Sequence, residues 1–78
     1  MSKRRETVHL IRELRSRLGL TQEKMAARLG VTFPTINRWE NGRANPSPLA
    51  LKQIEDLLLD LGDNGQDLRS KYFTKEGI

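Results

Sequence analysis

Residues 21 to 42 read TQEKMAARLGVTFPTINRWENG and carry the signals of two short helices joined by a tight turn. Thr21 is a good N-cap, because its hydroxyl can accept a hydrogen bond from an amide left unpaired in the first helical turn. Glu23 places a carboxylate near the positive end of the helix dipole. Met25, Ala26 and Leu29 recur at helical spacing, and Gly30 follows where a left-handed residue commonly ends a helix. Two residues on, Thr32 offers a second cap. Pro34 is tolerated in a first turn, where its missing amide would go unpaired anyway. Ile36 and Trp39 give the second helix an inward face, and Gly42 marks its end. Helices separated by only about three residues cross steeply, which calls for a small residue at the crossing, and Ala26 is that residue.

The flanking sequence supplies the rest of a small core. The spacing predicts a first helix from about Glu6 to Leu18, with Val8, Ile11, Leu14 and Leu18 inward and Gly19 as its stop. A fourth helix starts at Ser47, a cap, with Pro48 in the first helical position. Its inward stripe is Ala50, Ile54, Leu57, Leu58 and Leu61, bordered by Leu51, and Gly62 ends it. Leu49 and Leu59 fall off that stripe, which marks Leu59 as exposed apolar surface. The tail from Asp63 to Ile78 has a weak helical pattern (Leu68, Tyr72) and reads as a short fifth helix or a frayed end.

Composition agrees with one small unit. A chain of 78 residues removes only about 60–65% of its unfolded surface from water, so its stability is expected to be modest. There is no cysteine, hence no disulfide framework and no thiolate metal site. No apolar run approaches the roughly 20 residues of a membrane span, and no secretory segment follows Lys3, Arg4 and Arg5. The expectation is a cytoplasmic protein with no membrane partner. Charge is uneven: residues 1–43 hold ten Lys or Arg against four Glu, a net +6, while residues 44–78 hold four against six acids, a net −2. A basic half carrying the helical pair, with an acidic half behind it, suits a module that binds a polyanion.

The run from Ile11 to Leu58, IRELRSRLGLTQEKMAARLGVTFPTINRWENGRANPSPLALKQIEDLL, resembles the Xre-type helix-turn-helix family, which includes the phage Cro and repressor proteins. The resemblance lies in LGLTQ before the first helix of the pair, A-x-x-L-G-V through the turn, and W-E-N-G followed by a proline-containing loop. It implies an all-α fold: a five-helix repressor-like helix-turn-helix domain, four helices plus a short or frayed C-terminal one. A single domain is expected over 1–78, with a core at 7–62, a basic N-terminal arm at 1–6 and the tail at 63–78. It also implies contact with double-stranded DNA, made by a transcriptional regulator of bacterial or phage type that associates with the nucleoid when bound.

The resemblance places base contacts at Thr32, Phe33, Pro34, Asn37 and Arg38, on the start and one side of the second helix. Asn can pair bidentately with adenine and Arg with guanine, whereas Phe33 and Pro34 could only pack on thymine methyls or sugars. Phe33 could equally be ordinary surface or a protein contact, and Arg38 a phosphate contact. Both Phe33 and Pro34 are less polar than the residues many relatives carry there. Phosphate contacts are implied at Gln22, Asn41 and Arg43; Gln22 is also implied to brace the recognition helix, and the helix amides beside it can bond the same phosphate. Arg15 and Glu40 are implied to form a partly buried structural ion pair tying the first helix to the recognition helix. Trp39 is expected in the core. Arg17 and Arg28 fit either DNA contact or solvated helix faces, and Ser2 to Arg5 either a DNA-following arm or a solvated terminus.

An enzyme is not expected. One histidine and no cysteine leave no nucleophile with a base beside it, and the carboxylates are spread along helix surfaces. His9 reads as a surface residue of the first helix without companions for a metal, and no metal or cofactor is implied. The expected partners are DNA and a second copy of the chain, at least on DNA. The alternative on the same fold is the antitoxin of a toxin–antitoxin pair, or an adaptor to the transcription machinery, burying Phe33, Leu59, Tyr72 and Phe73 against a protein.

Overall fold

The computed structural model describes residues 3–73, with side chains from residue 7. Five helices follow one another: α1 Lys3–Leu18, α2 Gln22–Leu29, α3 Phe33–Glu40, α4 Pro48–Asp60 and α5 Asp63–Phe73. The described residues contain no strand, and the fold class is the all-α, five-helix one expected. α1 begins at Lys3, three residues before the expected start at Glu6, so residues 3–5 are helical backbone. Their contacts, and residues 74–78 of the tail, lie outside what is described.

The helix ends follow the residue types. Thr21 accepts from the Lys24 amide, Thr32 from Thr35 and Ser47 from Ala50. Gly30, at φ +72°, closes α2: the Val31 amide reaches back to the Ala26 carbonyl at 2.9 Å and Gly30 to Ala27 at 3.3 Å. That double bond satisfies carbonyls the helix would leave open, and only glycine takes the left-handed backbone without a steric cost. Two residues of connection then remain before α3 begins at Phe33, so the two axes cross with Ala26 buried between them.

The core joins all five helices: Leu10, Ile11 and Leu14 of α1; Met25, Ala26 and Leu29 of α2; Ile36 and Trp39 of α3; Ala50, Ile54, Leu57 and Leu58 of α4; Leu68 of α5. Each fully buried aliphatic side chain contributes about 1.5–3 kcal/mol of transfer free energy. Leu10 is a correction to the inward face of α1, where Val8 is only half-buried. A single amphipathic stripe explains one neighbour, but α1 packs against both α3 and α5 and buries a wider arc. Leu61 and Leu51 are half-buried at the edge of the α4 stripe, while Leu49 and Leu59 are 70% and 50% exposed.

The tail forms a packed helix, and two features seat it. Gly65 lies against α4 so closely that a Cβ built there would collide with the Leu58 carbonyl oxygen. Arg17 of α1 reaches across to α5: Nη1 donates to Asp67 Oδ1 at 2.6 Å and to the Asn64 carbonyl at 2.7 Å, and Nη2 to Asp67 Oδ2 at 2.9 Å. Its Nε bonds Glu13 Oε2 at 3.2 Å. Arg17 is therefore engaged in the fold, through hydrogen bonds made at the solvated surface. Tyr72 and Phe73 pack half-buried against the core of their own chain.

Gly65→Ala should lower the unfolding free energy by about 1–3 kcal/mol in urea titration, because backbone cannot yield as a flexible side chain can. The Arg17 hydrogen bonds hold the Asp67 carboxyl down at about 2, from an ordinary 3.8. A depressed carboxyl stabilises the fold above its unfolded pKa, and that contribution fades as pH falls from about 4 to about 2. Acid unfolding followed by circular dichroism should therefore be less steep in that window for Asp67→Asn than for the wild type.

Candidate nucleic-acid interface

α3 is short and two-faced because its apolar residues recur on one side only. Ile36, Trp39 and Glu40 are buried, whereas Phe33, Pro34, Arg38 and Asn41 are exposed and Asn37 is half-buried beside them. Positions 33, 34, 37, 38 and 41 share one helical face, opposite the core. The Thr32 hydroxyl is taken up at the helix start, accepting from the Thr35 amide at 3.3 Å and sharing a 2.8 Å bond with the Thr35 hydroxyl. Phe33 stands 45% exposed. Asn41 caps α3, and Arg43 follows on the surface after Gly42, which turns the chain at φ +73°.

Beneath this face lies the one buried charged side chain among the described residues, Glu40, only 2% exposed. Arg15 binds it with both arms of its guanidinium, Nε to Oε2 at 2.7 Å and Nη2 to Oε1 at 3.0 Å. Arg15 Nη1 also donates to the Leu20 carbonyl at 3.1 Å, holding the α1–α2 turn. Burial alone would raise the Glu40 pKa. The hydrogen bonds from Arg15 and Gln22, with the charges of Arg15 and Arg12, outweigh it and hold the carboxyl below its usual range. The same hydrogen bond to Glu40 raises the Arg15 pKa.

Two of the three residues expected to touch phosphate, Gln22 and Asn41, are drawn into the same network, together with Asn37 from the base-contact set. Gln22 Nε2 donates to Glu40 Oε1 at 2.9 Å, Asn37 Nδ2 to Gln22 Oε1 at 3.3 Å, and Asn41 Nδ2 to Asn37 Oδ1 at 2.9 Å. The structure thus brings Arg15, Glu40, Gln22, Asn37 and Asn41 into one chain and leaves Arg38 and Arg43 at the surface outside it. The resemblance implied the Arg15–Glu40 pair and a bracing Gln22, but sequence reasoning missed the amide links from Gln22 through Asn37 to Asn41. The i, i+4 spacing of Asn37 and Asn41 carries part of the signal, but the α2–α3 crossing that delivers Gln22 between Asn37 and Glu40 has no sequence counterpart. No described buried side-chain polar atom lacks a partner, and no group of acidic, histidine or cysteine side chains among the described residues could hold a metal. No described helix is long and apolar enough to cross a membrane.

Removing Arg15 alone leaves the buried Glu40 carboxylate uncompensated. Arg15→Met should cost about 3 kcal/mol of stability in urea unfolding, and Arg15→Met/Glu40→Met should recover most of that loss, since a paired apolar replacement buries no charge.

Comparison with known proteins agrees with this geometry. A helix-turn-helix family model matches residues 11–58, the same span as the resemblance read from the sequence. An uncharacterised HTH-type transcriptional regulator of Methanothermobacter thermautotrophicus is 53% identical over 49 residues, covering 63% of this chain and 71% of that protein. Another, from Archaeoglobus fulgidus, is 44% identical over 57 residues, 63% of this chain and 81% of its own. A third, also from Archaeoglobus fulgidus, is 33% identical over 63 residues, which is 80% of this chain but 28% of its own length. No solved structure matches at a significant level. With a matching model over most of its length, two crossed and capped helices, and the turn glycine between them, the chain belongs to the Xre-like helix-turn-helix family.

Proposed function

We propose that the protein is a sequence-specific, double-stranded-DNA-binding transcriptional regulator that acts in the cytoplasm by occupying its operator, with α3 as the recognition helix. One observation supports this most directly. The outward face of α3 is polar at Asn37, Arg38 and Asn41 and lies in the half of the chain with net charge +6. Asn37 and Arg38 carry the side-chain types that pair with adenine and guanine edges. Thr32, Phe33 and Pro34 at the start of α3 enter the groove first, Phe33 and Pro34 offering apolar contact to thymine methyls. Gln22, Asn41 and Arg43 flank that face and grip the phosphates, setting the register of the helix. Two copies reading half-sites one helical turn apart, about 34 Å, would double the contact from so small a domain.

A second reading, an antitoxin or an adaptor that binds a protein, draws on Leu49 and Leu59 of α4, exposed apolar side chains that the fold leaves uncovered. Failure to bind any genomic fragment at low salt would favour that reading.

Selection of bound duplexes from a random pool tests the first. A preferred sequence with twofold symmetry is expected, and log affinity should fall against log salt by about 0.9 for each phosphate neutralised. Asn37→Ala and Arg38→Ala should each relax preference at a defined base pair, while Arg43→Ala weakens all duplexes alike. A salt-insensitive affinity would defeat the proposal.

A further inference from the structure

The amide chain beside the recognition face has a direction, and Glu40 sets it. A carboxylate only accepts hydrogen bonds, so Gln22 turns its NH2 group towards Glu40 Oε1. The Gln22 carbonyl is left facing Asn37, which must answer with its own NH2. That turns the Asn37 carbonyl to the other side, where it accepts from Asn41. Reversing any one amide would set donor against donor or acceptor against acceptor. The first link is anchored, because Arg15 holds both oxygens of a carboxylate that is almost fully buried.

Once these bonds are made, Asn37 keeps one N–H and one carbonyl lone pair. Those are what adenine requires at N7 and at its N6 amino group. An unrestrained asparagine could present the pair in either sense by a half-turn of its amide. This one presents it in a single sense.

We infer that Gln22 and Glu40 are specificity-determining positioning residues: acting through Asn37, they fix the sense in which its amide meets a base pair, and hence the base pair preferred there. The inference rests on the DNA-reading function proposed above and deepens it. A Gln22 that only touched phosphate would affect every sequence alike. An orienting Gln22 also governs discrimination at one position.

The test measures binding of the selected duplex and each of its single base-pair variants to the wild type, Asn37→Ala, Gln22→Met and Arg15→Met/Glu40→Met, the last removing the acceptor without stranding a charge. Gln22→Met keeps the Arg15–Glu40 pair and removes only the amide. At the position where Asn37→Ala loses its preference, Gln22→Met should lose about tenfold in discrimination, since a bidentate base contact governs roughly that ratio. Preferences elsewhere in the site should persist, and Gln22→Met added to Asn37→Ala should cost no further discrimination. Arg15→Met/Glu40→Met, if folded by circular dichroism, should lose preference at the same position, and where it does not fold Gln22→Met decides. Gln22→Met that weakens every duplex equally, with that preference intact, overturns the inference alone. So does an Asn37→Ala variant that keeps every preference. A folded Arg15→Met/Glu40→Met that keeps the preference overturns the role given to Glu40. A wild type that binds all duplexes equally, or none, overturns the DNA-reading function and the inference together.

Discussion

A carboxylate that is 2% exposed survives inside a domain this small only because an arginine meets it from another helix. The Glu40–Arg15 pair therefore constrains more than two residues. It fixes the rotation of α3 about its own axis, since Glu40 must face α1, and that rotation decides which side of α3 looks outward. It also steadies the turn into α2 through the Leu20 carbonyl. Such a pair need add little net stability, because desolvation offsets much of its attraction, yet neither partner can be removed alone without stranding a charge. Its value is in orientation.

The same carboxylate has acceptor capacity left after Arg15 is satisfied, and Gln22 uses it. Buried polar groups must find partners, so a single anchored acceptor propagates order into neighbouring amides until the chain reaches solvent. Here it ends at Asn37 and Asn41, on the face that the basic half of the molecule presents. The structural ion pair and the polar side chains of the outward α3 face thus form one connected set.

The far side of the domain is built by different means. α5 is poor in apolar residues and would not fold by itself; Leu68 is its one buried large side chain. It is held by Leu68, Tyr72 and Phe73 against the core, by backbone proximity at Gly65 and by the Arg17–Asp67 contact. An arginine from the basic half and an aspartate from the acidic half are consumed in that contact, so the charge division along the chain is partly a device of folding.

Helix positions were legible because capping and periodicity are local. Thr21, Thr32 and Ser47 cap where hydroxyls precede apolar periods, and Gly30 turns where only glycine is unstrained. The helix-turn-helix pair, the inward Trp39 and most of the core followed from such signals and from the family resemblance. What one stripe per helix could not show was any helix with two neighbours, hence the missed Leu10, or any contact made by backbone, hence the missed role of Gly65. Residue types at 22, 37 and 41 named polar side chains suited to DNA and the resemblance paired Glu40 with Arg15, but neither joined the two sets. Only the crossing of α2 over α3 brought Gln22 within reach of both Glu40 and Asn37, because hydrogen bonds act over about 3 Å and no sequence spacing encodes that distance between two helices.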